Sequence, residues 1–289
     1  MLHAELFHNL YTQTHHTFDP SGTRLKEIAS QAISTPYLVN EMLAFSALHL
    51  STLRPDRRDF YRYHAAQLQT HALAIFKETN PQVTQETCVP LFLFAGIIGI
   101  HMLCDTLIYR EGDFSNFLHQ FVHFFRVYYG VRTIIGQAWS IIEATPLGPA
   151  MNLGRDVYSF DGHLNPDYAK LLRLVERSKL GKDLTLTYRQ AIESLQTCFN
   201  VAEGTDERHA RINGATTWPV LVTTDFGDLL EQRRPEALVI LAHYAVLMHR
   251  FRGSWLFGDS GRFVIQEVTG LLGPEWEEWL EWPNEALRS

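Results

Sequence analysis

A chain of 289 residues with 46% apolar side chains can bury one large core or two small ones, and its composition is that of an ordinary globular protein. The formal net charge is −7 and the basic residues form only short clusters, Arg54 with Arg57 and Arg58, Arg233 with Arg234, and Arg250 with Arg252. That pattern lacks the basic face with which a domain grips phosphates, so direct nucleic-acid contact from these residues is not expected. Three cysteines, Cys88, Cys104 and Cys198, are odd in number and show no C-x2-C spacing. They support neither a zinc site nor a disulfide framework and fit a reducing intracellular compartment.

The first residues, MLHAELFHNLYTQT, lack the zones of a signal peptide. They read as a short opening helix over 1–18, with Leu6, Leu10 and Thr14 on one side, broken by the Asp19-Pro20-Ser21-Gly22 turn. A second helix is expected over 23–33. Residues 36–76 then read as a helical hairpin. In its first arm Leu38, Met42, Phe45, Leu48 and Leu53 recur at helical spacing after Pro36, a residue suited to a first turn. Arg54-Pro55-Asp56 punctuates the pattern. The second arm is expected to turn Phe60, Tyr63, His64, Leu68, His71, Leu73 and Phe76 inward.

After Asn80-Pro81, Thr84 or Thr87 offers a cap for a helix over 84–108, with Pro90 in its early turns. Its core, residues 89–103, is apolar nearly all round and shorter than the roughly 20 residues a bilayer span needs, so it is expected to be a buried central helix with no membrane span. The stretch 114–130, FSNFLHQFVHFFRVYYG, presents Phe114, Phe117, Phe121, Phe124, Phe125, Tyr128 and Tyr129 over one broad side, and 131–142 continues it with Ile134, Ile135 and Trp139. These aromatics fit either core packing or the wall of an apolar pocket between helices. Residues 144–166 are rich in glycine and proline and read as a long surface connection. Further helices are expected over 167–178, 185–199, 226–232, 235–250 and 261–272, with a polar, mobile segment over 203–217. No period-two run bounded by turns occurs. The fold class is all-α: a single multi-helix domain over residues 1–289 with an apolar pocket between helices.

Nucleophile, phosphate-loop and dinucleotide motifs are absent from the sequence, and the 14 histidines show no metal-like spacing, so neither a metal nor another cofactor is expected. The best polar constellation is His101 with Asp105, four residues apart on an apolar helix and hence on one face. A carboxylate beside an imidazole fixes its tautomer and raises its basicity, as a general base requires; equally, two buried polar groups simply satisfy each other. His243-Tyr244 is a second pair. In 251–261, FRGSWLFGDSG, the glycines Gly253, Gly258 and Gly261 flank Trp255 and Phe257, and glycine permits sharp turns and close approach to a ligand or another backbone.

Two blocks carry a resemblance. The phrase LAFSALHLSTLRPDRRDFYRYHAAQLQTHAL within 36–76, and the tail ALVILAHYAVLMHRF followed by Trp255, Gly258, Gly261 and WEEWLEWP, resemble the C-terminal regulatory domain of fungal zinc-cluster (Zn2Cys6) transcription factors of the sterol-uptake-regulator type. The resemblance covers residues 5–283. It implies an all-α, dimerising domain that binds an apolar, sterol-like metabolite and acts in nucleus and cytoplasm. By similarity a C-terminal glycine-containing segment borders the ligand pocket, which places Trp255, Leu256, Phe257 and Gly258 beside it. Phe117, Phe121, Phe124, Phe125, Tyr128 and Trp139, as the apolar wall of such a pocket, and His243 are the further candidate lining residues. The six-cysteine cluster and basic region of that family do not occur in these 289 residues, which puts DNA contact in another portion, in a partner, or nowhere.

Three functions are consistent with these residues. The first is a ligand-sensing regulatory module, shifted between states by a metabolite with different affinities for them. The second is a stand-alone descendant of that domain, a cyclase-like enzyme acting on a polyketide or terpenoid, with His101 and Asp105 as catalytic residues. The third is a dimerisation or activation scaffold with no ligand.

Overall fold

The computed structural model describes residues 1–17, 34–110, 112–143, 166–203 and 208–288, and these residues form helices and connecting turns with no strand among them. The all-α class follows. Contacts between residues divide the chain into two compact units, Met1–Asp105 with Gly130–Asn152, and Thr106–Tyr129 with Leu153–Ser289. The helix expected over 23–33 and the connection expected over 144–166, save its last residue, lie outside the described residues.

The first unit opens with α1 (Leu2–Thr12) and a 3-10 turn, Thr14–Thr17. The hairpin follows as α2 (Pro36–Leu53), a 3-10 turn at Pro55–Arg57 and α3 (Arg58–Thr79), which ends on Asn80 in the left-handed conformation, φ 40°. Pro36 takes the first helical turn and Leu38, Met42, Phe45 and Leu48 are buried, as their spacing requires. The inner face of α3 differs from expectation. Tyr61, Ala65 and Ala72 face inward, whereas Phe60, Tyr63 and Leu73 are exposed. Small residues in the seam let two helices approach closely, so the alanines set the face and the larger rings go to its margin. Tyr61 is further held by charge: its hydroxyl donates to Glu5 Oε1 at 2.7 Å and accepts from Arg54 Nη1 at 2.7 Å, while Arg54 also pairs with Glu5. The Tyr61 hydroxyl and the Arg54 and Arg57 guanidiniums hold the Glu5 carboxyl below its ordinary range. A buried polar strand of contacts ties α1 to α2, in which Asn9 Nδ2 donates to Thr14 Oγ1 (2.9 Å) and Ser46 Oγ (3.0 Å), and Ser46 Oγ donates to the Leu6 carbonyl (2.8 Å).

Thr84 and Thr87 cap each other's backbone ahead of α4 (Cys88–Ile108), each hydroxyl accepting from the other's N–H, and Pro90 falls in the first turn where no donor is lost. At 21 residues, α4 is by length and composition long and apolar enough to cross a membrane, longer than the apolar run at its core suggested; 56% of its most apolar window is buried inside the protein. The last turns of α5 (Phe114–Ile142) complete the unit, where Ala138 and Ile142 pack with Cys88, and Trp139 meets Phe92 at 5.6 Å.

The second unit contains α6 (Pro166–Arg177), α7 (Lys182–Glu203), α8 (Arg208–Leu221), α9 (Thr224–Glu231), α10 (Pro235–Arg250), α11 (Ser260–Leu272) and α12 (Glu277–Ala286), with the first half of α5. Helix α10 is its centre: residues 237–249 are all buried, and every other helix from α6 to α12 packs against it. The polar segment expected over 203–217 is helical from Arg208 onward. The reason is tertiary. Trp218 is fully buried and its indole N–H donates to the Ala191 carbonyl at 2.9 Å, the Tyr244 hydroxyl donates to the Ala215 carbonyl at 2.8 Å, and Gly214 brings α8 so near α7 that a Cβ there would stand 2.7 Å from the Cys198 carbonyl oxygen. Packing partners far off in sequence override a polar local composition.

Candidate functional site

The strongest polar centre lies in the first unit and joins α2 to α4. His101 Nδ1 stands 2.9 Å from Glu41 Oε1, with side chains 4% and 0% exposed. Gln69 Nε2 of α3 makes a longer contact, 3.4 Å, to the same oxygen, and Glu41 Oε2 is buried without a hydrogen-bond partner. The Phe45 ring lies 6.0 Å from the imidazole. A carboxylate that accepts from one imidazole nitrogen fixes the tautomer of the ring, so Nε2 is the nitrogen left to act.

Asp105 does not join this centre. It meets Arg62 Nε at 3.7 Å in a half-exposed ion pair, and the partner of His101 comes instead from a helix 60 residues earlier. An i, i+4 pair on a helix surface is within reach of itself, but a buried imidazole opposite a buried carboxylate gains more than one opposite a solvated carboxylate. Burial pushes the thiols of Cys104 and Cys198 up, away from the thiolate form a nucleophile needs. Among the described residues no three His, Cys, Asp or Glu side chains converge as a metal-holding group.

The aromatics of α5 form a ladder in the second unit. Phe114 stacks on Phe117 at 5.9 Å, Phe117 on Phe121 at 5.6 Å, and Phe124 on Tyr128 at 5.5 Å, while Phe125 leans on Phe121 at 4.8 Å. Phe263 meets the first two rings edge-on, and Tyr244 stacks 6.4 Å from Phe121. All six ladder residues are buried. His243, on α10, is buried too; its Nδ1 lies 2.9 Å from the Val239 carbonyl and its ring 5.3 Å from that of Trp282.

The 251–261 segment is a run of turns leading into α11. Phe257 is buried beside Phe251, Trp255 is half-buried, and Gly258 adopts φ +50°, where a side chain is strained. Two contacts tie the segment to the chain leaving α4: Ser260 Oγ donates to the Leu107 carbonyl at 2.9 Å, and Arg110 reaches Ser260 Oγ at 2.9 Å and pairs with Asp259. Gly261 serves close packing. A Cβ there would lie 2.4 Å from the His249 nitrogen and 2.5 Å from the Ala245 carbonyl oxygen.

The anticipated catalytic and lining residues are drawn from both units. His101, Asp105 and Trp139 belong to the first unit; Phe117, Phe121, Phe124, Phe125, Tyr128, His243, Trp255, Phe257 and Gly258 belong to the second. Glu41 escaped sequence reasoning because its partner is far along the chain. A signal for it existed: Glu41 sits three residues after Leu38 and four before Phe45, on the buried stripe of an otherwise apolar helix.

Two imidazoles give the fold a pH dependence. Burial pulls His49 and His243 down from 6.5 to about 4. Both are neutral when folded, and the unfolded chain takes up their protons below pH 6.5, so stability is complete above 6.5 and lost as pH falls toward 4. Each is expected to cost roughly 2 kcal/mol at pH 5 relative to pH 7.5. Denaturant unfolding at the two pH values checks this, and His49→Gln should flatten the dependence.

No family model matches the chain. It is similar to a Zn(2)-C6 fungal-type transcription factor of Gibberella zeae, 25% identical over 310 aligned positions that take in 98% of this chain and 61% of that protein. It is also similar to the Zn(2)-C6 fungal-type transcription factor afumD of Aspergillus fumigatus, 24% identical over 227 positions, 76% of this chain and 58% of that protein. The chain thus spans about three fifths of the length of these relatives.

Proposed function

We propose that this chain is the regulatory module of a Zn(2)-C6-type transcription regulator, acting in the nucleus, and that it senses an apolar, sterol-like metabolite and pairs with a second copy of itself. The observation that carries the regulatory reading is the alignment of 98% of the chain with a protein named as such a transcription factor. The chemistry of the residues agrees with it. The three cysteines are buried and far apart in sequence, and the net charge is negative, so these residues are suited to regulation rather than to contact with phosphates. The ligand would act by population shift, binding one arrangement of the helices better than another. The tie from Arg110 and Ser260 to the 251–261 turns is the element such a shift would release or strengthen.

Fusing the chain to an unrelated DNA-binding domain in a fungal reporter strain tests the reading. Output is expected to differ from that of the DNA-binding domain alone and to change several-fold when sterol synthesis is blocked. Output equal to the DNA-binding domain alone, with and without the block, would contradict the proposal.

A further inference from the structure

We infer that Glu41 is the polar anchor of a small-molecule site in the first unit, and that its ligand is an aromatic alcohol whose hydroxyl donates to Oε2. This goes beyond the sterol-sensing reading: it uses residues of the first unit, not Phe121 or Trp255 of the second, and takes a different class of ligand. Glu41 is fully buried; Oε1 accepts from His101 Nδ1 at 2.9 Å and, at the edge of bonding distance, from Gln69 Nε2 at 3.4 Å, while Oε2 is buried with no partner. A buried carboxylate oxygen without a donor is costly, and one incoming hydrogen bond to it is strong for the same reason.

The surroundings specify the remainder of the ligand. Tyr37 lies one helical turn before Glu41 on α2, and Phe94 lies two turns before His101 on α4. Their rings meet at 4.9 Å, and Phe76 of α3 closes the cluster at 5.5 Å from Tyr37 and 4.9 Å from Phe94. Phe45 flanks the pair on the next turn of α2, 6.0 Å from the imidazole. A ring therefore finds aromatic partners within one or two turns of the carboxylate. The carboxylate repels acids, and a hydroxyl supplies the missing donor without adding a buried charge.

The test uses 2-phenylethanol as the probe, with ethylbenzene as the same molecule lacking the hydroxyl. Titrating each into the full chain and following the imidazole nitrogen resonances of His101 by NMR should give a saturable shift with the alcohol. Ethylbenzene should bind roughly tenfold or more weakly, the worth of one hydrogen bond to a charged group. The paired replacement Glu41→Leu with His101→Leu should abolish the preference for the alcohol. If that variant does not fold, the comparison of the two probes on the unaltered chain decides alone. Equal binding of both probes, an unmoved His101, or no binding of either would overturn the inference. Such a failure leaves the reporter result standing, because that experiment reads regulation and not a preference for a hydroxyl.

Discussion

Replacing Gly261 by alanine should destabilise the protein by about 3 kcal/mol, the upper end of what overpacking a core costs. The added carbon would stand 2.4 Å from the His249 nitrogen, 2.5 Å from the Ala245 carbonyl oxygen and 2.8 Å from the His249 Cα, all backbone atoms of α10. No side-chain rotation relieves such a contact; α11 must lift from α10, the helix at the centre of its unit. Gly253, eight residues earlier, is exposed with nothing within 4 Å of an added carbon, so Gly253→Ala should lie within about 0.5 kcal/mol of the parent. Gly258→Ala falls between them at roughly 1 kcal/mol, because φ +50° strains any side chain. Calorimetric unfolding of the three variants checks the order. A cost below about 1 kcal/mol for Gly261→Ala would refute the close approach.

His101→Leu should cost about 3 kcal/mol or more, since it leaves the fully buried Glu41 carboxylate without its one short hydrogen bond. Glu41→Leu should be costly in the same way, stranding the imidazole. Both changes together should lie within about 1 kcal/mol of the parent, because an apolar pair of similar volume replaces a desolvated polar one. The double-mutant cycle isolates this coupling. Additive losses would show that the two side chains do not depend on one another. Asp105→Asn, by contrast, removes half of a half-exposed ion pair with Arg62 and should change stability by less than about 0.5 kcal/mol.

Helical period and turn chemistry made much of this architecture legible in advance. Pro36 and Pro235 mark starts where the helices begin, Pro55 falls in the break between the hairpin's arms, and the buried stripe Leu38-Met42-Phe45-Leu48 lies where its spacing put it. Sequence reasoning failed where a distant partner decides. Ala65 and Ala72 face inward in α3 because α2 comes close, an arrangement that favours small side chains over the neighbouring rings. Residues from Arg208 onward are helical because Trp218 and Gly214 find partners in α7. At the candidate site the helix supplying His101 was legible, but its neighbour Asp105 was the nearer carboxylate in sequence and not the nearer in space. The aromatic side of α5 was legible as a surface to be covered, and period alone does not distinguish a covering helix from a ligand.

The measurement that bears most directly on the proposed role is native mass spectrometry of the chain purified from a fungal host, followed by organic extraction of what accompanies it. The ligand-sensing reading predicts one apolar small molecule per chain, with its retention weakened by Trp255→Ala or Phe121→Ala. A chain that carries nothing, whose mass stays that of the bare polypeptide when sterols are supplied, would contradict it.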